Sequence, residues 1–519
     1  MATSIGAGMA VFVVMILTMT WLWRVVKWIW LRPKTLERCL RQQGFAGNSY
    51  RLLFGDLKDF FRSMVEARSQ PISFTNDYLS RADPFVYQTI KNYGKNSFAW
   101  MGPIPMVNIA EPELIKEVFS KISDFQKPKF NKFFQLLIPG LAQYEGEKWA
   151  KHRKMINPAF HNDKLKLMLP AFCISCEDMI GKWEKIVSKL GSQEVDVMPY
   201  IITLSADVIS RSAFGSSYEE GRKIFQLIKE QIDIAFQGFQ IAFIPGWRFL
   251  PTRTNRRLRQ LDHEIQTLLK GIIYKRKEAM EIGEDAKDDL LGILMQSSLG
   301  NVQKHGSDIH HLRLTINEVI DECKLFYLAG QETTSMLLVW TLIMLSKHQD
   351  WQARAREEVL RTFGHNKPSF GELNHLKIIT MILYEVLRLY PPVIATLRSV
   401  QNDTKLGKLF LPAGVLLNLA IVISHQDDEI WGNDAKEFKP ERFSKGIFKA
   451  IEGNISFFPF GWGPRICIGQ NFAMFEAKIA MAMILQRFSF DLSPTYAHAP
   501  TTSMILQPQF GAHIILHGL

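Results

Sequence analysis

The stretch FPFGWGPRICIG, Phe458–Gly469, decides how the rest of this chain is read. Three glycines, two prolines, three large aromatic residues and one arginine surround a single cysteine, Cys467. Proline and glycine both work against a helix, so this run is a stiff loop. Directly after it, GQNFAMFEAKIAMAMILQRF (Gly469–Phe488) has the length and apolar content of a buried helix. A free cysteine is usually a small buried hydrophobe, and Cys39 and Cys323 are read that way. Cys467 is read differently, because its loop carries what an ionised sulfur ligand needs.

A thiolate serving haem iron as axial ligand asks for three supports. Backbone amides must turn toward the sulfur, which glycines at Gly463 and Gly469 permit. A helix N-terminus near Gly469 adds partial positive charge that favours the thiolate. A cation, Arg465, must meet a haem propionate. Phe460 is placed to cover the sulfur. The spacing Phe-x-x-Gly-x-Arg-x-Cys-x-Gly thus marks Cys467 as the candidate metal ligand.

The remainder of the 519 residues reads as one catalytic body, since no Gly/Ser run, proline-rich spacer or fixed-period repeat divides it after residue 50. SSLGNVQKHGSDIHH (Ser297–His311) reads as an exposed loop between helices. Helical patterns cover Glu147–Phe160, the long proline-free Leu314–Lys347, and His375–Tyr390, which stops at Pro391-Pro392. Strand-like pieces cluster near 97–110, 408–422 and the C-terminal end, with Pro412–Gly414 expected as a hairpin turn. The fold class expected is mainly α with a small β lobe.

Lys and Arg total 62 against 51 Asp and Glu, a net charge of +11. The basic residues are scattered, with no arm or finger pattern, which argues against nucleic acid. A membrane surface or an acidic protein partner suits the sign better. Five cysteines in so long a chain are no disulfide framework. Residues 1–23 carry no charge, and Ile5–Trp23 is long enough to cross most of a bilayer core. Arg24, Lys27, Arg32 and Lys34 follow, which places the body on the cytosolic side. Trp21, Trp23, Trp28 and Trp30 suit the interface, and Pro33 is expected to end the helix. The division expected is a membrane anchor and interface segment at 1–32 and the catalytic domain at 33–519.

With these residues in view, the chain resembles the cytochromes P-450, the haem-thiolate monooxygenases. Phe460, Gly463, Arg465, Cys467 and Gly469 fall on their cysteine-loop signature, and further matches follow in order along the chain. The resemblance implies the cytochrome P-450 fold behind one N-terminal transmembrane helix, with haem b held by an axial thiolate. The implied address is the endoplasmic reticulum membrane, single-pass, with the catalytic body in the cytosol.

Glu385 and Arg388 stand three apart on an apolar helix, so they share a face and read as a buried pair. The resemblance adds Arg442, from the PERF segment Pro440–Phe443, as the third member of a structural triad steadying the cysteine loop. In AGQETT (Ala329–Thr334) a glycine sits mid-helix beside Glu332-Thr333. Alone, that pair fits equally a threonine bonded to its own helix with a solvated glutamate, or a proton relay. Beside a thiolate loop the relay reading gains, with a helix kinked at the glycine making room for O2 and water. The resemblance assigns Thr333 and Glu332 the catalytic roles. It also makes Trp149, Arg153 and Arg398 propionate partners.

Cys173-Ile174-Ser175-Cys176 is a lone CxxC without a second pair and carries no metal or redox assignment. No Gly-x-Gly-x-x-Gly follows a strand, so electrons must come from another protein. The resemblance names an NADPH-dependent cytochrome P-450 reductase, for which a basic face would suit. At finer grain, segments such as GKNSFAWMG, KWAKHRKMINPAF and ECKLFYLAGQETT look like the plant group of secologanin synthase and the triterpenoid saponin oxidases. The implied substrate is a hydrophobic terpenoid, taken with O2. Pocket walls are expected from Pro128–Gly140, Ile234–Trp247, Leu325–Ala329, Pro392–Leu397 and Thr501–Leu506. Two other functions compete: a haem-thiolate isomerase or dehydratase needing no O2, against which Glu332-Thr333 argues, and a non-catalytic haem or sterol binder.

Overall fold

The computed structural model describes residues 2–74, 77–129, 136–188, 191–237, 250–282, 289–299, 313–451, 453 and 455–519. Its helices and strands are arranged as the sequence leads one to expect, with helices dominant and the strands gathered in small sheets.

The N-terminal helix Ala2–Val26 is apolar, and its large side chains from Phe12 to Trp23 are exposed, outside the body. It fits a membrane anchor. Pro33 does not end it. A π-helical turn, Lys27–Leu31, carries the chain directly into the helix Arg32–Gln42, with Pro33 in that helix's first turn. The reason is local chemistry. Proline removes one helical donor and leaves the carbonyl four residues back without it. The acceptor four residues back, Ile29 O, takes the Tyr50 hydroxyl at 2.7 Å instead.

The longest helix, Ile316–Lys347, opens with a capping box in which Thr315 and Glu318 satisfy each other's backbone N–H groups. It is apolar and long enough to cross a membrane, yet most of it is buried, so it is the core helix of the body. Helices Met198–Phe214, Lys377–Leu389 and Gln470–Arg487 pack against it.

The main sheet has six strands in the order Ala46–Gly47, Ser97–Met101, Ile104–Ile109, Leu416–Leu419, Thr396–Val400 and Phe125–Gln126. Here Val107 runs parallel to Leu417, and Arg398 lies antiparallel to the same residue. A second sheet joins Phe488–Leu492, His513–Gly518 and Ser192–Asp196, tying the C-terminal end back to the helical core. The turn at Pro412–Gly414 is present, with Gly414 at φ +86°, a conformation that favours glycine. It does not close a hairpin: Leu409–Leu411 pairs with Thr404–Leu406, while Leu416–Leu419 belongs to the six-stranded sheet. Of the stretch expected as a loop, Ser297–Leu299 finishes the helix Leu290–Leu299, and 300–312 lie outside the described residues.

Candidate functional site

Within the cysteine loop, Cys467 N donates to Phe460 O at 2.9 Å, and Ile466 N to Gly463 O at 3.1 Å. Gly461 and Gly463 stand at φ +72° and +70°, where side chains are strained. At Gly463 a Cβ would also lie 2.9 Å from Phe119 O, so the close backbone approach excludes every other residue. Gly469 differs from expectation. Its φ is ordinary, and a Cβ there would sit 4.0 Å from the Cys467 sulfur, a normal contact. What Gly469 supplies is its amide, which bonds the sulfur at the N-terminus of the helix Gln470–Arg487.

The Cys467 side chain is exposed, yet surrounded by enough protein to be desolvated, so it opens onto an interior hollow. Burial pushes its thiol up, against the Gly469 amide and the nearby Arg153 charge, which favour the thiolate. The helix end expected to favour the thiolate therefore does not prevail over burial. A metal ion does that outright, by deprotonating the thiol it binds.

Positive charge collects around this loop. Arg153, on the helix Gly146–Ile156, donates to Ile466 O at 2.8 Å. Arg465 donates to Tyr144 O at 2.8 Å, pairs with Glu145, and stacks 4.5 Å over the Trp149 ring. Arg398 is 4 % exposed and finds only neutral acceptors, Thr396 Oγ1 at 3.1 Å and Leu397 O at 2.9 Å. Burial and the Arg465 charge bring its guanidinium down to about 10. Lys127 is held well below the usual lysine range by burial, then by Arg398 and Arg465, with Glu145 opposing. Three cations, Arg398, Arg465 and Lys127, thus share the carboxylate of Glu145, and Arg153 adds its charge beside Arg465.

The core helix presents a second surface. Between Glu322 and Ser346 its residues are buried except at Ala329, Gly330, Glu332 and Thr333, which form an accessible window. The helix runs as α-helix without interruption through this glycine. Gly330 serves packing, since a Cβ would lie 2.7 Å from Ile209 Cγ1 on the neighbouring helix. Thr333 Oγ1 donates to Ala329 O at 2.7 Å, which leaves its lone pairs free to accept. Burial raises the Glu332 carboxyl, with exposed Lys229 lowering it and exposed Asp233 raising it from the helix Tyr218–Gln237.

The helix Gly146–Ile156 links the two surfaces. His152, fully buried, meets Glu322 Oε1 of the core helix at 2.7 Å through Nδ1, while its neighbour Arg153 reaches the cysteine loop. Glu322 Oε2 also accepts from Leu141 N at 3.1 Å. At φ +66°, Gly140 leaves room for that carboxylate, which a Cβ would meet at 2.7 Å.

Glu385, Arg388 and Arg442 come together. Arg388 makes a two-pronged contact with Glu385 at 2.8 and 2.7 Å, both side chains fully buried. Arg442 Nε lies 3.6 Å from Glu385 Oε1. Sequence reasoning missed the connection onward. Arg388 donates to His425 O at 2.9 Å, and His425 Nε2 accepts Phe458 N, the first residue of the cysteine loop, at 2.8 Å. Burial, with Arg388 beside it, lowers His425 to about 3. No spacing in the sequence singles out His425, Glu145 or the His152–Glu322 pair; only their burial and partners do. Of the expected walls, Ala329 and Val393 are accessible and Leu325 is buried, while 130–135 and 238–249 lie outside the described residues.

Residues 82–515 match the family model Cytochrome P450. Cytochrome P450 CYP72A219 of Panax ginseng is 59% identical over 498 residues, spanning 96% of each chain. Secologanin synthase 2 of Catharanthus roseus is 52% identical over 501 residues, 96% of this chain and 95% of that one. Echinocystic acid 23-monooxygenase of Saponaria officinalis is 52% identical over 505 residues, 96% of this chain and 97% of that one. Similarity of that extent, centred on a loop built to present one sulfur, makes the chain a member of the cytochrome P450 family, haem-thiolate monooxygenases that carry haem b.

Proposed function

We propose that this chain is a membrane-anchored monooxygenase that puts one atom of O2 into an unactivated C–H bond of a plant terpenoid. The terpenoid is triterpenoid, iridoid or gibberellin-like, and electrons come from an NADPH-dependent cytochrome P-450 reductase. The relatives named for secologanin and for echinocystic acid support the substrate class. Basic Arg24, Lys27 and Arg32 after the apolar helix support a single pass through the endoplasmic reticulum membrane, with the body cytosolic.

One observation carries the assignment of the site: the surplus of positive charge beside Cys467. Burying an arginine against neutral acceptors alone is costly. Arg398, with Arg153, Arg465 and Lys127 balanced by one glutamate, suits a guest carrying two carboxylates, as haem b does. Its chemistry, when bound, is the reductive activation of O2. Cys467 would hold the iron, with the Gly469 amide moderating the sulfur's charge. Arg153, Arg398, Arg465 and Trp149 would hold the carboxylates, and Phe460 and Gly463 close the loop.

The window on the core helix supplies the proton path. Glu332, whose carboxyl burial raises, has the exposed Lys229 and Asp233 near it on the helix Tyr218–Gln237. Thr333, its own hydroxyl hydrogen committed to Ala329 O, accepts a bond at Oγ1 and passes a proton on when that hydrogen rotates. Glu385, Arg388 and Arg442 hold the cysteine loop through His425.

The test is product analysis. Full-length protein co-expressed with reductase is offered a panel of triterpenoids and iridoids under labelled O2. The expected product carries one labelled oxygen and needs NADPH. Conversion without reductase or O2 would restore the isomerase or dehydratase reading. Ligand binding with no NADPH consumption would restore the passive binder.

A further inference from the structure

Where the N-terminal helix meets the body, a cavity of about 220 Å³ opens between the two. That is the space of roughly seven waters at ~30 Å³ each. Trp28 and Arg32 line it from the helical segment, Lys129 and Gln401 from the body, and among the described residues none that lines it is acidic. Both Arg32 and Lys129 are exposed, so their charges are available.

The cavity is shaped around the guanidinium. Arg32 Nη2 donates to Ala413 O at 3.3 Å. A Cβ on Gly414 would stand 2.2 Å from the same nitrogen, so the turn needs its glycine to let the arginine lie there. The π-helical turn Lys27–Leu31, pinned by Tyr50 to Ile29 O, fixes the rotation of the segment that carries Trp28 and Arg32.

Depth in the membrane follows from helix geometry. Arg32 is six residues beyond Val26, the end of the apolar helix. At ~1.5 Å per residue that is about 9 Å beyond the last residue of that helix, taken along its axis. A bilayer's polar layer is ~5–8 Å thick on each side, so the Arg32 backbone stands at the outer edge of that layer, with its phosphates within reach of the long side chain. Trp28 stands one turn earlier, where amphipathic rings favour the interface.

We propose that this cavity is a binding site for the phosphate of an anionic phospholipid, held between Arg32 and Lys129 with Trp28 against its glycerol and upper acyl chain. The bound lipid joins anchor to body and sets the body's tilt. The site rests on the anchored reading of the N-terminal helix.

Haem-loaded full-length protein is incorporated in phosphatidylcholine vesicles with and without phosphatidylserine. Flotation is measured first, then retained lipid by native mass spectrometry after detergent release. The wild type should float and keep one phosphatidylserine. The double variant Arg32→Ala, Lys129→Ala should float, keep the carbon monoxide spectrum of a folded enzyme, and bind that lipid roughly thirtyfold more weakly, about fivefold for each cation. Arg24→Ala, at the same membrane face but outside the cavity, should retain it. Equal retention by the double variant overturns the site while leaving the anchor intact. Displacement of the lipid by millimolar inorganic phosphate overturns it in favour of a free-phosphate site. Failure of the wild type to float overturns the anchored reading, and the site with it.

Discussion

The cysteine loop and the window on the core helix, to which we assign one reaction, are held in opposite ways. The loop is fixed by backbone bonds and by glycines at positive φ, where no other residue fits without strain. A buried polar chain backs it, running from Glu385 through Arg388 and His425 to Phe458. The window at Ala329–Thr333 is held by packing, with buried apolar residues on either side and Gly330 pressed on Ile209. A sulfur that must meet a metal needs its position fixed to a fraction of an ångström. A surface that must admit gas, water and protons needs space and one or two polar groups. Mutations should therefore fail differently in the two places: in the loop by losing the cofactor or the fold, in the window by losing control of the chemistry.

The largest effect is expected at the sulfur itself. Cys467→Ser should abolish activity and the thiolate-type carbon monoxide band, while far-ultraviolet circular dichroism stays near that of the wild type. Retention of the band would place the ligand elsewhere. Glu385→Ala comes next. Removing one partner of a buried ion pair costs ~3–5 kcal/mol, because Arg388 would remain fully buried with its charge uncompensated. Haem content per chain and the thermal midpoint should both fall sharply. A variant with full haem content and unchanged Tm would show that the buried pair does not secure the loop.

Thr333→Ala should behave in the opposite manner. Its hydroxyl bonds only its own helix, so deletion should cost less than about 1 kcal/mol of stability. Haem binding should survive. What changes is coupling: product per NADPH should drop several-fold, with the missing electrons recovered as hydrogen peroxide. Normal coupling would remove Thr333 from the proton path and leave the window a matter of space alone.

How much of this was legible beforehand follows the same division. The loop could be read because its chemistry is written locally: glycine, arginine and cysteine within a dozen residues, each with a separate physical duty. Glu385 and Arg388 were legible for the same reason, three apart on an apolar helix. His425 was not, because its importance lies in bridging Arg388 and Phe458, which are distant from it in sequence. The His152–Glu322 contact likewise joins two helices that spacing cannot relate. The misjudged details have one origin too. Intrinsic preference makes Pro33 a helix end and Gly330 a groove or distortion, whereas tertiary contacts decide both. Tyr50 takes the carbonyl that Pro33 leaves, and Ile209 fills the space beside Gly330.

The smallest expected effect tests whether the polar chain behind the loop matters as a chain. His425 Nε2 can accept the Phe458 amide only while that nitrogen is unprotonated. Burial first, then the Arg388 charge, holds the folded-state pKa near 3, against an ordinary value of 6.5. Unfolded chains therefore take up a proton below pH 6.5 that folded ones refuse until about pH 3. Stability from this group is complete above pH 6.5 and drains away as pH falls, by at most ~1.4 kcal/mol per pH unit. His498, lowered to about 3 by burial, acts in the same sense. Glu476, raised to about 8 by burial, acts oppositely, weakening the fold as pH rises above the ordinary glutamate range. A raw stability curve mixes these contributions, so the informative quantity is the Tm gap between wild type and His425→Gln. Glutamine can accept the Phe458 amide but does not titrate. The gap should be widest above pH 7 and shrink steadily toward pH 5, as only the wild type gives up stability there through residue 425. A gap independent of pH would mean that residue 425 takes up no extra proton on unfolding, and that the fold does not hold this histidine neutral behind the loop.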